Sequence, residues 1–96
     1  MDIAINFSRS AFKHNVSEAD IRLAFDNKLY DERIDDSDGI DDIDAKYLLI
    51  GFDKNVNLIE VLYNVIDENT IKVFHAMKCR NIYSPLIKNR SKQCRN

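Results

Sequence analysis

The sequence predicts an α+β domain, with N-terminal helices packed on an antiparallel meander sheet and a short C-terminal helix. Two observations predict it. Ser17-Glu18-Ala19-Asp20 has the spacing of a capping box that opens a helix. Further along, three apolar runs rich in β-branched and aromatic residues follow one another across the short breaks DKNV and DEN.

Taken in order, IAINF (3–7) reads as a short first strand and SRSAFKHN as a short helix or turn ending near Asn15. The capped helix runs to about Asn27, with Ile21, Ala24 and Phe25 on one face and Arg22 and Asp26 turned away. LYDERI is an edge-strand candidate. The runs KYLLIGF (46–52), NLIEVLYNVI (57–66) and TIKVFHAM (70–77) then form the meander. Regular alternation predicts Ile59, Val61, Tyr63 and Val65 on one face of the second run. In the third it puts Ile71, Val73, His75 and Met77 opposite Lys72, Phe74, Ala76 and Lys78. A short helix is expected around Pro85, before a basic tail over 89–96.

The 96 residues fit a single domain over 1–96. Two Gly and one Pro leave no linker or low-complexity tract. The start MDIAINFSRSAF lacks the basic flank and the apolar run of about 7–15 residues of a signal peptide. Nor does any segment approach roughly 18 uninterrupted apolar residues. A cytoplasmic protein away from membranes is the expectation, with Cys79 and Cys94 as reduced thiols rather than a disulfide.

The net charge of −2 conceals a strong asymmetry. Eight carboxylates and one basic residue lie between Asp31 and Asp44, whereas seven basic residues and no carboxylate follow Ile71. A basic region of this kind suits phosphate.

The acidic loop over 34–45 fails as an EF-hand. With Gly39 at the sixth position, Asp36 and Asp38 fit, but Ile34 and Ala45 occupy the two ends of the cage. A solvated loop, or one that contacts a basic partner, is the better reading. Zinc at FHAMKCRN (74–81) fails on distance. His75 and Cys79 on an extended strand lie roughly 13 Å apart, whereas zinc ligands stand about 2.0–2.3 Å from the metal. No metal and no cofactor is expected. Cys79 reads as an inert thiol, because adjacent strand residues point to opposite faces. Phosphate chemistry on RNA remains, with Lys46, Lys72, Lys78 and Arg80 as cations and His75 or Tyr63 for proton transfer. In a regular strand His75 reads more readily as a core histidine, and His14 as a structural one.

Three segments in order resemble the BrnT family, RelE-like ribonuclease toxins of bacterial toxin–antitoxin pairs. KHNVSEADIRLAFDN (13–27) is similar to a family pattern of Lys-His-Gly-Val-Ser followed by a helix. KYLLIGFDKNVNLIEVLYNV (46–65) resembles its Ile-Gly strand, turn and apolar strand. IKVFHAMKCR (71–80) is similar to its last strand and Ala-Arg-Lys exit. The resemblance implies a RelE-like fold, metal-independent RNA cleavage that inhibits translation, and a small antitoxin protein as partner. It places Lys78 at the exit lysine and Lys46 where family members carry arginine. Met77 replaces the arginine before Lys78, Asn64–Val65 stand where a charged pair is common, and Asn15 takes the glycine's place. The Met77 exchange motivates an alternative, a non-catalytic degenerate toxin that acts as a protein-binding or co-regulatory module.

Overall fold

The helix start bears out one half of the capping box: the Ser17 hydroxyl accepts from the Asp20 backbone N–H at 3.1 Å. The Asp20 carboxylate accepts from the Lys54 N–H at 3.3 Å, which ties the start of the helix to a distant turn. This computed structural model describes residues 3–34 and 45–87. In chain order it comprises β1 (Ala4–Phe7), a 3-10 turn (Arg9–Phe12), α1 (Glu18–Asp26), β2 (Lys28–Arg33), β3 (Lys46–Phe52), β4 (Leu58–Asp67), β5 (Thr70–Lys78) and a 3-10 turn (Asn81–Tyr83). A helical turn follows over 84–87. The expected acidic loop, apart from Ile34 and Ala45 at its ends, and the basic tail lie outside the described residues.

The five strands form one sheet in the order β1-β5-β4-β3-β2. From β2 to β5 each strand pairs antiparallel with the next, as a meander requires. The sheet as a whole is mixed, which corrects the purely antiparallel expectation. β1 pairs parallel with β5, from Ala4 opposite Thr70 to Phe7 opposite Val73. The reason is the path of the chain: the 3-10 turn and α1 cross one face of the sheet, so the first strand meets the last one parallel.

That face holds the core. Ile21 and Ala24 of α1 and Ala11 of the first 3-10 turn pack on Leu49, Ile59, Val61, Tyr63, Ile71, Val73 and Ala76, all of them buried. Gly51 of β3 lies directly under α1, where an added Cβ would strike the Ala24 carbonyl oxygen. On the reverse face Leu48, Ile50 and Glu60 are fully buried as well. No helix among the described residues is long and apolar enough to cross a membrane.

Among the described residues, two other than glycine have left-handed backbone, Asn15 at φ 66° and Val56 at φ 62°. Asparagine tolerates that region. Valine tolerates it poorly. Val56 is held there because the Asp53 carboxylate accepts from the Asn55 and Asn57 N–H groups at 2.8 and 2.9 Å. Its side chain is 71% exposed and gains little from packing in return. Val56→Asn is therefore expected to stabilise the protein by about 1 kcal/mol. Urea unfolding should show a higher midpoint with an unchanged slope.

Candidate functional site

A bulge in β5 determines what the sheet presents at its reverse face. Tyr63 pairs with Val73 and Leu62 with His75, which leaves Phe74 as an extra residue. From that point the alternation is reversed. Ile71, Val73 and Ala76 share the core face, and His75 joins Met77 on the other. The predicted facing of Phe74, Ala76 and Lys78 with Lys72 is thereby corrected. Lys78 is exposed and pairs with Ile59 at the core-face edge, whereas Lys72 pairs with Asn64 on the reverse face.

Glu60 is the one buried charged residue among the described residues, with no accessible surface. Its carboxylate is nonetheless fully engaged. The Arg80 backbone N–H donates to Oε1 at 3.0 Å, and Arg80 Nη2 donates to Oε2 at 2.7 Å. Arg80 Nε lies 3.1 Å from both oxygens. His75 Nε2 stands 2.9 Å from Oε2. Burial opposes the carboxylate's charge, but the hydrogen bonds from Arg80 and His75 outweigh it and hold its pKa below the ordinary 4.5. An ionised carboxylate only accepts, so Nε2 of His75 is the nitrogen that donates to it.

A group whose pKa falls on folding lends stability above its unfolded value and loses it as pH falls through the folded one. Glu60 should therefore stabilise the protein fully above about pH 4.5 and progressively less below it. Unfolding measured from pH 7 downward is expected to show this acid limb in the wild type. In Glu60→Gln, less stable at pH 7, the limb should flatten.

The N-terminal segment supplies the next member of the cluster. The Ser8 N–H donates to the Val73 carbonyl at 2.9 Å and Ser10 Oγ to the Phe74 carbonyl at 2.6 Å. These bonds clamp the first 3-10 turn onto the bulge. The left-handed Asn15 then turns the chain toward α1, which leaves His14 beside β5. The rings of His14 and His75 meet edge to face, centroids 5.5 Å apart. His14, His75, Glu60 and Arg80 thus form one continuous polar cluster, drawn from the 3-10 turn's exit, β5, β4 and the residue after Cys79.

The other predicted residues do not all converge on it. Arg80 belongs to the cluster, its guanidinium also lying over the Tyr83 ring at 5.8 Å. Lys78 lies two residues before it and lines the same surface cleft. Lys46 and Lys72 flank Asn64 from its two neighbouring strands, at the far end of the sheet. Along β4 that row lies roughly 13 Å from Glu60. Tyr63 is on the core face, where its hydroxyl donates to Asp31 at 2.6 Å. Burial and the Asp31 carboxylate push its pKa well above the ordinary 10.0, so its proton is held rather than exchanged. For Cys79, burial and the Glu60 charge raise the thiol's pKa against the opposing effect of Arg80. That environment disfavours a thiolate nucleophile.

Glu60 and His14 are the residues that sequence reasoning passed over as functional. Glu60 had a signal, since it is the one charge inside the apolar run LIEVLYNVI. His14 had none beyond its place in the motif, because its approach to His75 depends on the bulge and the clamp. No group of three or more His, Cys, Asp or Glu among the described residues is placed to hold a metal ion. Compared with protein-family models and with curated proteins, the chain matches none.

Proposed function

We propose that the protein is a metal-independent endoribonuclease, a RelE-like toxin similar to the BrnT family that inhibits translation in the cytoplasm and is neutralised by a small antitoxin protein. The observation that carries this reading is the contact between two imidazoles, one of them oriented by a buried, ionised Glu60, beside the cationic strand exit. RNA cleavage by internal transfer needs one proton removed and another delivered, with negative charge stabilised at phosphorus. His75 Nδ1 accepts the proton of a 2′-hydroxyl as its oxygen attacks the adjacent phosphorus. The bond from phosphorus to the 5′-oxygen breaks, and His14 gives that oxygen its proton. The products are a 2′,3′-cyclic phosphate and a 5′-hydroxyl, and the two imidazoles return to their starting states by exchange with water. Lys78 holds the phosphate, while Arg80 keeps Glu60 ionised. Lys46 and Lys72, remote from the cluster, take an extended RNA strand further along the sheet.

One feature favours the alternative, a non-catalytic module: Nε and Nη2 of Arg80 are committed to Glu60, and Met77 offers no second guanidinium. Controlled induction separates the readings. Growth arrest by wild type, relieved in Lys78→Ala, is the expected result, with RNA cleavage reduced about tenfold or more. Soluble wild-type protein that binds a small cognate protein yet neither slows growth nor cuts RNA would establish the module instead.

A further inference from the structure

The cleft that Lys78 shares with Arg80 is a second recognition feature. Its volume is about 340 Å³, and it lies where the β3–β4 turn, the exit of β5 and the following 3-10 turn converge. That size is at the lower end of small-molecule sites. Among its lining residues are the polar Asn57, Asn81, Ser84, Lys78 and Arg80 and the aromatic Phe52. A side-chain amide offers both donors and an acceptor, the complement of a base's hydrogen-bonding edge. An aromatic side chain suits the base's flat surface. A lysine ammonium suits its phosphate.

The backbone gives an independent indication. Val56, with its left-handed φ of 62°, forms part of the same cleft. Strained positions of this kind cluster at ligand clamps. Here the Asp53 carboxylate, accepting from the Asn57 N–H at 2.9 Å, keeps the turn in that strained form and fixes the position of Asn57.

We infer that this cleft is a nucleotide subsite, which receives the base of a residue flanking the cleaved bond and makes the enzyme selective for base identity. The inference rests on the ribonuclease reading for its substrate, but the site itself can be tested without catalysis. The full chain is titrated with each of the four ribonucleoside 5′-monophosphates and with trinucleotide RNAs whose 2′-hydroxyls are methylated against cleavage. Backbone amide signals of residues 57, 78, 81 and 84 are followed by NMR. The expected result is saturable shifts at these positions, at least a fivefold preference among bases, and trinucleotide binding at least tenfold tighter than that of the mononucleotide. Asn57→Ala and Asn81→Ala, with wild-type amide spectra elsewhere, should abolish the preference while retaining phosphate-dependent shifts at Lys78. Base preference unchanged in both variants, or no saturable shift at all, would overturn the subsite even if the protein cuts RNA. Mononucleotide binding as tight as that of the trinucleotide would overturn its assignment to an RNA strand. Binding as expected in a protein without nuclease activity would keep the subsite and remove the ribonuclease reading.

Discussion

Gly51→Ala is expected to destabilise the protein by about 3 kcal/mol, the upper end of the ordinary cost of overpacking a core. For a domain of this size that lowers the melting temperature by about 15 °C. The added methyl meets the Ala24 carbonyl oxygen, carbon and Cα rather than a side chain that can rotate away. Relief requires the whole of α1 to lift from β3, and with it Ile21 and Ala24 from the core. The helix is tied at both ends, through Asp20 to the Lys54 N–H and through the Asn27 carbonyl to the Phe52 N–H at 3.3 Å. A small tilt is therefore not available at low cost. Thermal unfolding followed by circular dichroism checks the prediction. A fall of less than about 4 °C, worth 1 kcal/mol or less, would show that the helix has a second, equally good seat on the sheet.

The second large effect is on the chemistry proposed above for the His14–His75 cluster. His75→Ala is expected to lower single-turnover RNA cleavage by about 10²–10⁴-fold, the usual contribution of a general acid or base. His14→Ala should fall in the same range. The double variant should be little worse than either single one, because residues that act as a unit lose their contribution together. Glu60→Gln tests the positioning of His75. Gln retains the shape but lacks the charge that fixes the imidazole's proton on Nε2. Its rate should fall and its pH profile shift, whereas Glu60→Asp should recover part of the activity. Full activity in His75→Ala, in protein shown to be folded, would remove the cluster from the reaction.

How much of this was legible in the sequence differs from element to element. The capped helix was, because Ser17 and the spacing of Ile21 and Ala24 act within a few residues of one another. So were β3, β4 and β5 and their short turns, because β-branched runs separated by Asp and Asn are local signals. The parallel pairing of β1 was not, since it joins residues 4–7 to residues 70–73 and no local pattern encodes such a distance. The bulge at Phe74 was invisible for another reason. A run such as TIKVFHAM looks the same whether or not one residue is squeezed out of the ladder, and that single choice decides which face His75 and Lys78 occupy. The candidate site was accordingly read in fragments. Lys78, Arg80 and His75 were singled out, Glu60 was counted as strand, and Tyr63, Lys46 and Lys72 were grouped with residues from which the sheet separates them.

The proposed reaction centre draws its first member from position 14 and its last from position 80. This has a consequence for a chain during its synthesis. The two histidines come together only after β5 has left the ribosome and added itself beside β1, a step that brings together residues more than sixty positions apart. Domains are made from the N-terminus at about 5–20 residues per second. For about a second, then, the nascent protein carries α1 and the strands β1 to β4 but lacks both His75 and Arg80. If the cluster is the reaction centre, translation that stops before residue 80 releases fragments that lack it, and the capacity to cut RNA arises in one step, when β5 joins the sheet beside β1.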